Sequence, residues 1–151
     1  MDQFSSDTRS GFSSQTGKSS NQKYASKKSN LTNYQDYLEY LHYMDESKII
    51  YFLFTSTDSP ISGYSWSPIC TEVQEVLEKR VEELHNSVFV VIHVGSQDEW
   101  EDPDNPFRQD KNLQLKVLPT FMNVKSGKRL EGLNCVKSEL LELVWEKECD
   151  F

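Results

Sequence analysis

Two short apolar runs constrain the fold of this 151-residue chain more than any other feature. KIIYFLFTS begins at Lys48 and SVFVVIHVG begins at Ser87, and both are continuous and rich in β-branched and aromatic residues. Each run is too short to predict a helix, so each predicts a strand that is buried on both faces. A strand of that kind needs helices above and below its sheet, which predicts an α/β fold.

Helical periodicity surrounds the two runs. Apolar residues recur at helical spacing in TNYQDYLEYLHYM from Thr32, in SPICTEVQEVLEKRVEELH from Ser67 and in KSELLELVWEKE from Lys137. In the first of these segments Thr32 or Asn33 can cap the helix. One face of that helix is expected to be buried, formed by Tyr34, Tyr37, Leu38, Leu41 and Met44.

Strand and turn signals complete the second half of the chain. PTFMNV and KRLEGLN flank Lys125-Ser126-Gly127-Lys128, a turn sequence, and predict an antiparallel hairpin. A short helix is expected around Phe107 to Asn112, and the sequence allows a weak first strand around Lys23 to Ser26. Alternating strands and helices followed by a hairpin predict a central mixed β-sheet flanked by helices on both faces.

The charge distribution separates the first thirty residues from the rest. Residues 1–30 carry five Lys or Arg against two Asp, which leaves eleven basic and twenty-two acidic residues for the remainder. We therefore expect a disordered, Ser-rich basic extension at 1–30 and one folded domain at 31–151. The extension weakly resembles a mitochondrial transit peptide in its Ser content, but it has a single Arg and no apolar helical face.

Composition also limits the partners and the compartment. An acidic body without a basic stripe argues against nucleic acid, and no apolar run approaches the twenty or so residues that span a bilayer. The N-terminus has no apolar segment of the kind a secretory signal needs. Three cysteines, Cys70, Cys135 and Cys149, are an odd number, which suits a reducing compartment better than a disulfide scaffold.

GYSWSPICTEV, residues 63–73, holds the candidate site. Ser67 is placed to cap the following helix and Pro68 occupies the first turn, where helices accept proline. A thiolate at a helix N-terminus is stabilised and nucleophilic, and a Cys-X-X-Cys pair uses one sulfur to attack a disulfide and a second to resolve the product. In this chain only the second position, Cys70, carries sulfur.

SWSPIC resembles the Trp-Cys-Pro-Asp-Cys motif of the thioredoxin domain-containing protein 17 family, a small cytosolic branch of the thioredoxin superfamily. Four further segments are similar to that family: YFLFTS, VGSQDEWEDPDNPFR, KVLPTF and LEGLNC. The resemblance runs from about Asn33 to Trp145. It implies a thioredoxin fold and protein-disulfide reductase activity that draws electrons from NADPH through thioredoxin reductase.

Carried over by position, the resemblance puts Ser67 where the family has its attacking cysteine and Ile69 where it has aspartate. Trp66, Pro68 and the resolving Cys70 are retained. Pro119 falls at the position of the fold's cis-proline, which helps an extended substrate segment dock. The resemblance therefore implies a binding groove formed by Trp66, Pro68, Ile69 and Pro119.

The loss of the attacking sulfur leaves three hypotheses. In the first, the chain is redox-compromised and binds protein or peptide segments at that groove, with no bound cofactor. In the second, Cys70 performs monothiol exchange with a protein or glutathione, and an external thiol resolves the product. In the third, Cys70 and Cys135 form a redox pair, which requires Cα atoms within about 7 Å.

Metal chemistry and serine chemistry are not expected. Cys135 and Cys149 lack the spacing of a metal cluster, and the acidic stretch from Asp98 to Asp104 lacks the pattern of a calcium-binding loop. The histidines lie in predicted helices or strands, and nothing places one beside Ser67 as a base. We therefore interpret Ser67 as a helix cap.

Overall fold

The two apolar runs form the centre of the sheet, as the sequence predicts. The computed structural model describes residues 27–59 and 61–145. Strands β2 (Ile49–Thr55) and β3 (Ser87–His93) pair in parallel, and only the residue at one end of each strand is not fully buried. Their side chains contact helices on both faces, which explains why the runs are continuously apolar.

Three shorter strands extend this centre on both sides. Strand β1 (Lys28–Leu31) pairs in parallel with β3, whereas β4 (Thr120–Asn123) pairs antiparallel with β2. Strand β5 (Arg129–Glu131) pairs antiparallel with β4 and completes the predicted hairpin. The five-stranded order β1-β3-β2-β4-β5 confirms the mixed sheet.

Helices cover both faces of the sheet. They are α1 (Tyr34–Tyr43), α2 (Pro68–Val81), α3 (Gln97–Glu101), α4 (Pro106–Gln109) and α5 (Ser138–Val144), with a 3-10 helix at Gly132–Val136 before α5. The residues of α1 and α4 belong to the core on one face, and those of α2 and α5 belong to the core on the other. None of the helices within residues 27–59 and 61–145 is long and apolar enough to cross a membrane.

The buried face of α1 differs from the prediction. Tyr37 and Tyr40 are buried, whereas Leu38 and Leu41 are 39% and 36% exposed. Both pairs have helical spacing, but the two tyrosine rings pack against Phe52 in edge-to-face geometry. Aromatic rings bury more surface than leucine side chains do, so the helix packs on the sheet through its tyrosine face. Asn33 is the cap, since its side chain accepts from the N–H of Asp36 at 2.8 Å.

Several boundaries also differ. Residues 28–30 belong to β1, so the folded part begins before the predicted boundary at residue 31. The weak strand expected at Lys23 to Ser26 lies outside the described residues. The short helix expected at 107–112 is α4, which ends at Gln109, and α3 was not anticipated. Helix α2 ends at Val81, before Leu84, the last apolar residue of the predicted helical stripe.

Candidate functional site

Ser67 is the N-cap of α2, as the sequence predicts. Its backbone is extended, and its hydroxyl oxygen accepts from the N–H of Cys70 at 3.4 Å, while Pro68 occupies the first helical turn. The Ser65 hydroxyl accepts from the N–H of Ser67 at 2.9 Å and is also hydrogen-bonded to Ser56. A helix of 14 residues therefore begins at a position held by three serine side chains.

The Ser67 hydroxyl has no base to activate it. Within the described residues, no hydrogen bond joins Ser67 Oγ to a histidine or a carboxylate. His93, at the end of β3, has its ring nitrogens within hydrogen-bonding distance of Ser56 O at 3.3 Å and Asn30 Oδ1 at 3.2 Å. Without a base a serine hydroxyl stays protonated and is a poor nucleophile. The hydrogen bonding of Ser67 is therefore that of a helix N-cap.

Trp66 connects this loop to the end of β3. Its indole N–H donates to the carbonyl of Gly95 at 3.1 Å, and the ring is half-buried. Gly95 is tied in turn to Thr57, which accepts from the glycine N–H at 2.9 Å and donates its own backbone N–H to the glycine carbonyl at 3.0 Å. The motif is therefore anchored to two neighbouring strands.

The exposed part of the site is apolar. Ile69 is 40% exposed on the first turn of α2, and Val117 is 42% exposed on the loop before β4. Ile61 and Tyr64 lie on the loop between β2 and α2 and are 97% and 76% exposed. These four side chains, together with the half-buried Trp66, are called the apolar patch below.

Pro119 lies at the same edge of the sheet as the motif. It immediately precedes Thr120, which pairs with Phe54 near the end of β2, and the peptide bond between Leu118 and Pro119 is cis. Pro119 itself is buried and its carbonyl accepts from the N–H of Gly132 at 2.9 Å. Val117, which the sequence analysis did not single out, is an exposed apolar residue of this loop.

Cys70 and Cys135 are both free and buried, with exposures of 1% and 0%. Cys135 lies in the 3-10 helix, and its thiol donates to the carbonyl of Leu130 at 3.4 Å. Burial raises the pKa of the Cys135 thiol to about 12. A thiol in that environment stays protonated at neutral pH and is a poor nucleophile. Cys149 lies outside the described residues.

Both buried thiols should resist alkylation in the folded protein. Iodoacetamide reacts with an accessible thiolate, so we expect Cys70 and Cys135 to be labelled at least ~10-fold more slowly at pH 8 than in denaturant. Mass spectrometry of the peptides that contain each cysteine measures the two rates. Fast labelling of Cys70 in the native chain would contradict its burial and would favour monothiol exchange.

The acidic segment after β3 is a folded element. Ser96 and Glu99 form a capping box at the start of α3, and the Asn105 amide donates to the carbonyls of Val94 and Glu99. The Arg108 guanidinium lies 5.5 Å from the Trp100 ring. Within residues 27–59 and 61–145, no group of three or more His, Cys, Asp or Glu side chains is arranged to hold a metal ion.

This geometry defines the class of protein. A mixed five-stranded sheet of order β1-β3-β2-β4-β5 with helices on both faces is the architecture of the thioredoxin fold. The structure resembles the long form of thioredoxin f from spinach chloroplast with a TM-score of 0.52 at 17% identity, over 76% of this chain and 83% of that one. The likeness shows the fold.

Sequence comparisons identify the branch. Residues 23–147 match the family model described as thioredoxin domain-containing protein 17-like, thioredoxin domain, and the chain belongs to that family. Mouse thioredoxin domain-containing protein 17 is 29% identical over 104 residues, which cover 68% of this chain and 82% of the mouse protein. The Arabidopsis thaliana thioredoxin-like protein Clot is 32% identical over 77 residues, which cover 50% of this chain and 58% of that protein.

Proposed function

We propose that this chain is a redox-compromised member of its family that binds extended protein segments at the former active-site groove. The observation that carries the proposal is the burial of Cys70, which is 1% exposed behind a serine. In a two-cysteine site the buried sulfur acts only after the exposed one has captured the substrate. Here Ser67 cannot make that capture, so Cys70 receives no mixed disulfide to resolve.

The groove nevertheless has the exposed apolar side chains that peptide binding needs. Ile61, Tyr64 and Trp66 precede α2 along the chain, and Ile69, on the first turn of α2, is apolar where the resemblance places a charged aspartate. Exposed apolar side chains gathered at one site are typical of surfaces that bind a partner. An extended segment would lie along the loop that contains Val117 and Pro119, beside Trp66, Pro68 and Ile69.

The proposal also covers cofactors and compartment. A binding module of this kind needs no bound cofactor, and NADPH with thioredoxin reductase, or glutathione, would be partners only if monothiol exchange through Cys70 took place. We propose a cytosolic location, because an odd number of cysteines with two free, buried thiols suits a reducing compartment.

Binding should depend on Ile69 and not on sulfur. The probe is a set of fluorescein-labelled, cysteine-free nonapeptides with apolar centres, measured by fluorescence anisotropy against the full chain. We expect Cys70→Ser to retain the affinity within about twofold and Ile69→Asp to weaken it by about tenfold or more, as loss of a central apolar contact does. The matched control is Leu143→Asp, because Leu143 is 62% exposed on α5, outside the apolar patch.

Two results would overturn the proposal. One is the absence of peptide binding by any member of the set, with circular dichroism showing a folded chain. The other is reduction of a small disulfide by the natural chain, with NADPH and thioredoxin reductase, that disappears in Cys70→Ser. The second result would establish monothiol exchange in its place.

A further inference from the structure

The carbonyl of Gly95 holds the side chain of Trp66. The indole N–H donates to that carbonyl at 3.1 Å, and the backbone N–H of Thr57 donates to the same oxygen at 3.0 Å. A carbonyl oxygen has two lone pairs, so these two donors use its full capacity. Since an indole has a single N–H, the Trp66 ring presents only apolar surface to a bound segment.

The direction of this carbonyl depends on a backbone conformation that residues other than glycine rarely adopt. Gly95 has φ +129. A Cβ atom added to it would lie 2.8 Å from the Cβ of Glu99 and 3.0 Å from Glu99 Oε1. Glu99 is held in turn by its capping box, because its carboxylate accepts from the N–H of Ser96 at 2.8 Å. The start of α3 therefore lies in close contact with one side of Gly95.

The side chain of Thr57 holds the N–H of Gly95. Thr57 Oγ1 accepts from that N–H at 2.9 Å, while the Thr57 backbone donates to the Gly95 carbonyl. The two bonds fix both polar groups of the glycine, and only the first of them depends on the type of side chain at position 57. Thr57 is half-buried on the loop that follows β2, so its hydroxyl can be removed without opening a cavity in the core.

A Trp66 ring that is fixed in advance favours binding. A side chain that becomes ordered only when a partner binds lowers the affinity, because its ordering costs conformational entropy. Trp66 is the half-buried member of the apolar patch, and its indole is already hydrogen-bonded in the free chain. The groove therefore meets a segment with one apolar wall in place.

We propose that Thr57 is a positioning residue of the groove and acts on the bound segment through Gly95 and Trp66. The Thr57 hydroxyl holds the Gly95 peptide, the Gly95 carbonyl holds the indole, and the indole forms an apolar wall of the groove. The inference rests on the proposed function, because the docked segment is what benefits from a fixed ring. Thr57 acts in this way without touching the segment.

The first measurement observes the Trp66 hydrogen bond without any peptide. A proton–nitrogen correlation NMR spectrum of the full chain contains three indole N–H signals, one for each tryptophan, and Trp66→Phe assigns the signal of Trp66. We expect Thr57→Val to raise the exchange rate of that N–H with water by about fivefold, as the loss of one hydrogen bond does. Trp145, in the core on the α2 side of the sheet, is the internal reference and should not change.

Variants of the chain isolate the hydroxyl. Thr57→Ser keeps the oxygen that accepts from Gly95 and should keep the Trp66 exchange rate within about twofold. Thr32→Val is the matched control, because Thr32 is an exposed threonine between β1 and α1, and it should leave the Trp66 signal unchanged. Gly95→Ala displaces the same carbonyl through its contact with Glu99 and should raise the exchange rate as Thr57→Val does. Circular dichroism checks that each variant is folded.

The second measurement is the affinity for peptides. The fluorescein-labelled, apolar-centred nonapeptides described above are titrated with each variant of the full chain. We expect Thr57→Val to weaken binding by about threefold to tenfold, and Thr57→Ser and Thr32→Val to retain the affinity within about twofold. Across the series the affinity should fall as the exchange rate of the Trp66 N–H rises. A purely structural role of Thr57 does not produce that correlation.

The outcomes separate the two proposals. An unchanged Trp66 exchange rate in folded Thr57→Val would overturn the positioning role, whatever the peptides do. Faster exchange with an unchanged peptide affinity would overturn it too, because binding would then not depend on a fixed ring. If Thr57→Ser behaves like Thr57→Val, the hydroxyl is not the group that acts. No peptide binding by the natural chain would overturn the proposed function, and the NMR signals would still decide whether Thr57 holds Trp66.

Discussion

Ser67→Cys is expected to turn this chain into a disulfide reductase. The substituted side chain occupies the N-cap of α2, where the hydroxyl oxygen already accepts from the N–H of Cys70. A thiolate at that position is stabilised by the same N–H and by the helix dipole, which lowers its pKa. Since loss of a nucleophile costs an enzyme up to ~10⁶ in kcat, restoring it should raise turnover on the order of 100-fold or more.

The chemistry of the variant uses both positions. The new thiolate attacks a substrate disulfide and forms a mixed disulfide, with release of one substrate thiol. The Cys70 thiol then attacks that bond and releases the second substrate thiol, which leaves an internal disulfide for reduction by NADPH through thioredoxin reductase. Cys70 lies one helical turn along α2, so it needs no exposure for this second, intramolecular step.

Oxidation of NADPH with a small disulfide substrate measures the effect. The natural chain and Cys70→Ser serve as inactive references, and the double variant Ser67→Cys with Cys70→Ser should accumulate the mixed disulfide without turnover. Adding Ile69→Asp to Ser67→Cys rebuilds the family motif and should not reduce the activity. A Ser67→Cys chain that folds but turns over no substrate would show that the site has lost more than its attacking sulfur.

Phe54→Ala should destabilise the fold by about 3–5 kcal/mol. Phe54 is 0% exposed near the end of β2, on the α1 face of the sheet. Its ring lies 5.8 Å from that of Tyr37 and 6.3 Å from that of Phe107, both in edge-to-face geometry. Truncation to alanine removes these contacts and leaves a cavity. The surrounding helices can relax only partly into that cavity, so most of its cost remains.

Denaturant unfolding followed by circular dichroism measures the change in the free energy of unfolding. Tyr43→Ala is the matched control, because Tyr43 is an aromatic residue at the end of α1 with 58% exposure. We expect the control to change the free energy of unfolding by no more than about 0.5 kcal/mol. A loss below about 1 kcal/mol for Phe54→Ala would contradict the close packing of the aromatic cluster.

Local signals predicted the elements of the fold well. The strands β2 and β3 were predicted because a strand buried on both faces must be apolar at every position. The start of α2 was predicted because Ser is favoured at the N-cap and Pro in the first turn, and Ser67 and Pro68 precede an apolar stripe at helical spacing. The hairpin at Gly127 was predicted from turn chemistry, and the glycine adopts φ +78, which other residues rarely do.

The buried face of α1 was predicted wrongly because the sequence offered two equally plausible apolar faces for that helix. The leucine and tyrosine stripes of α1 have the same spacing, and only the aromatic residues on the sheet decided between them. Helix α3 is five residues long and buries none of its residues, so it has no apolar stripe, and its local signal, the capping box of Ser96 and Glu99, was missed. The contacts of α1 with the sheet join residues distant along the chain, and sequence periodicity carries no information about them.

The sequence by itself determined the sheet centre, the caps, the family and the missing sulfur, because each depends on the residues at one place in the chain. Only the tertiary structure decided that Cys70 is inaccessible, that Pro119 is buried while Val117 is exposed, and that Tyr37 and Tyr40 form the buried face of α1. Burial and exposure are properties of surfaces brought together from separate segments. They are fixed by packing, and so they exist only once the chain has folded.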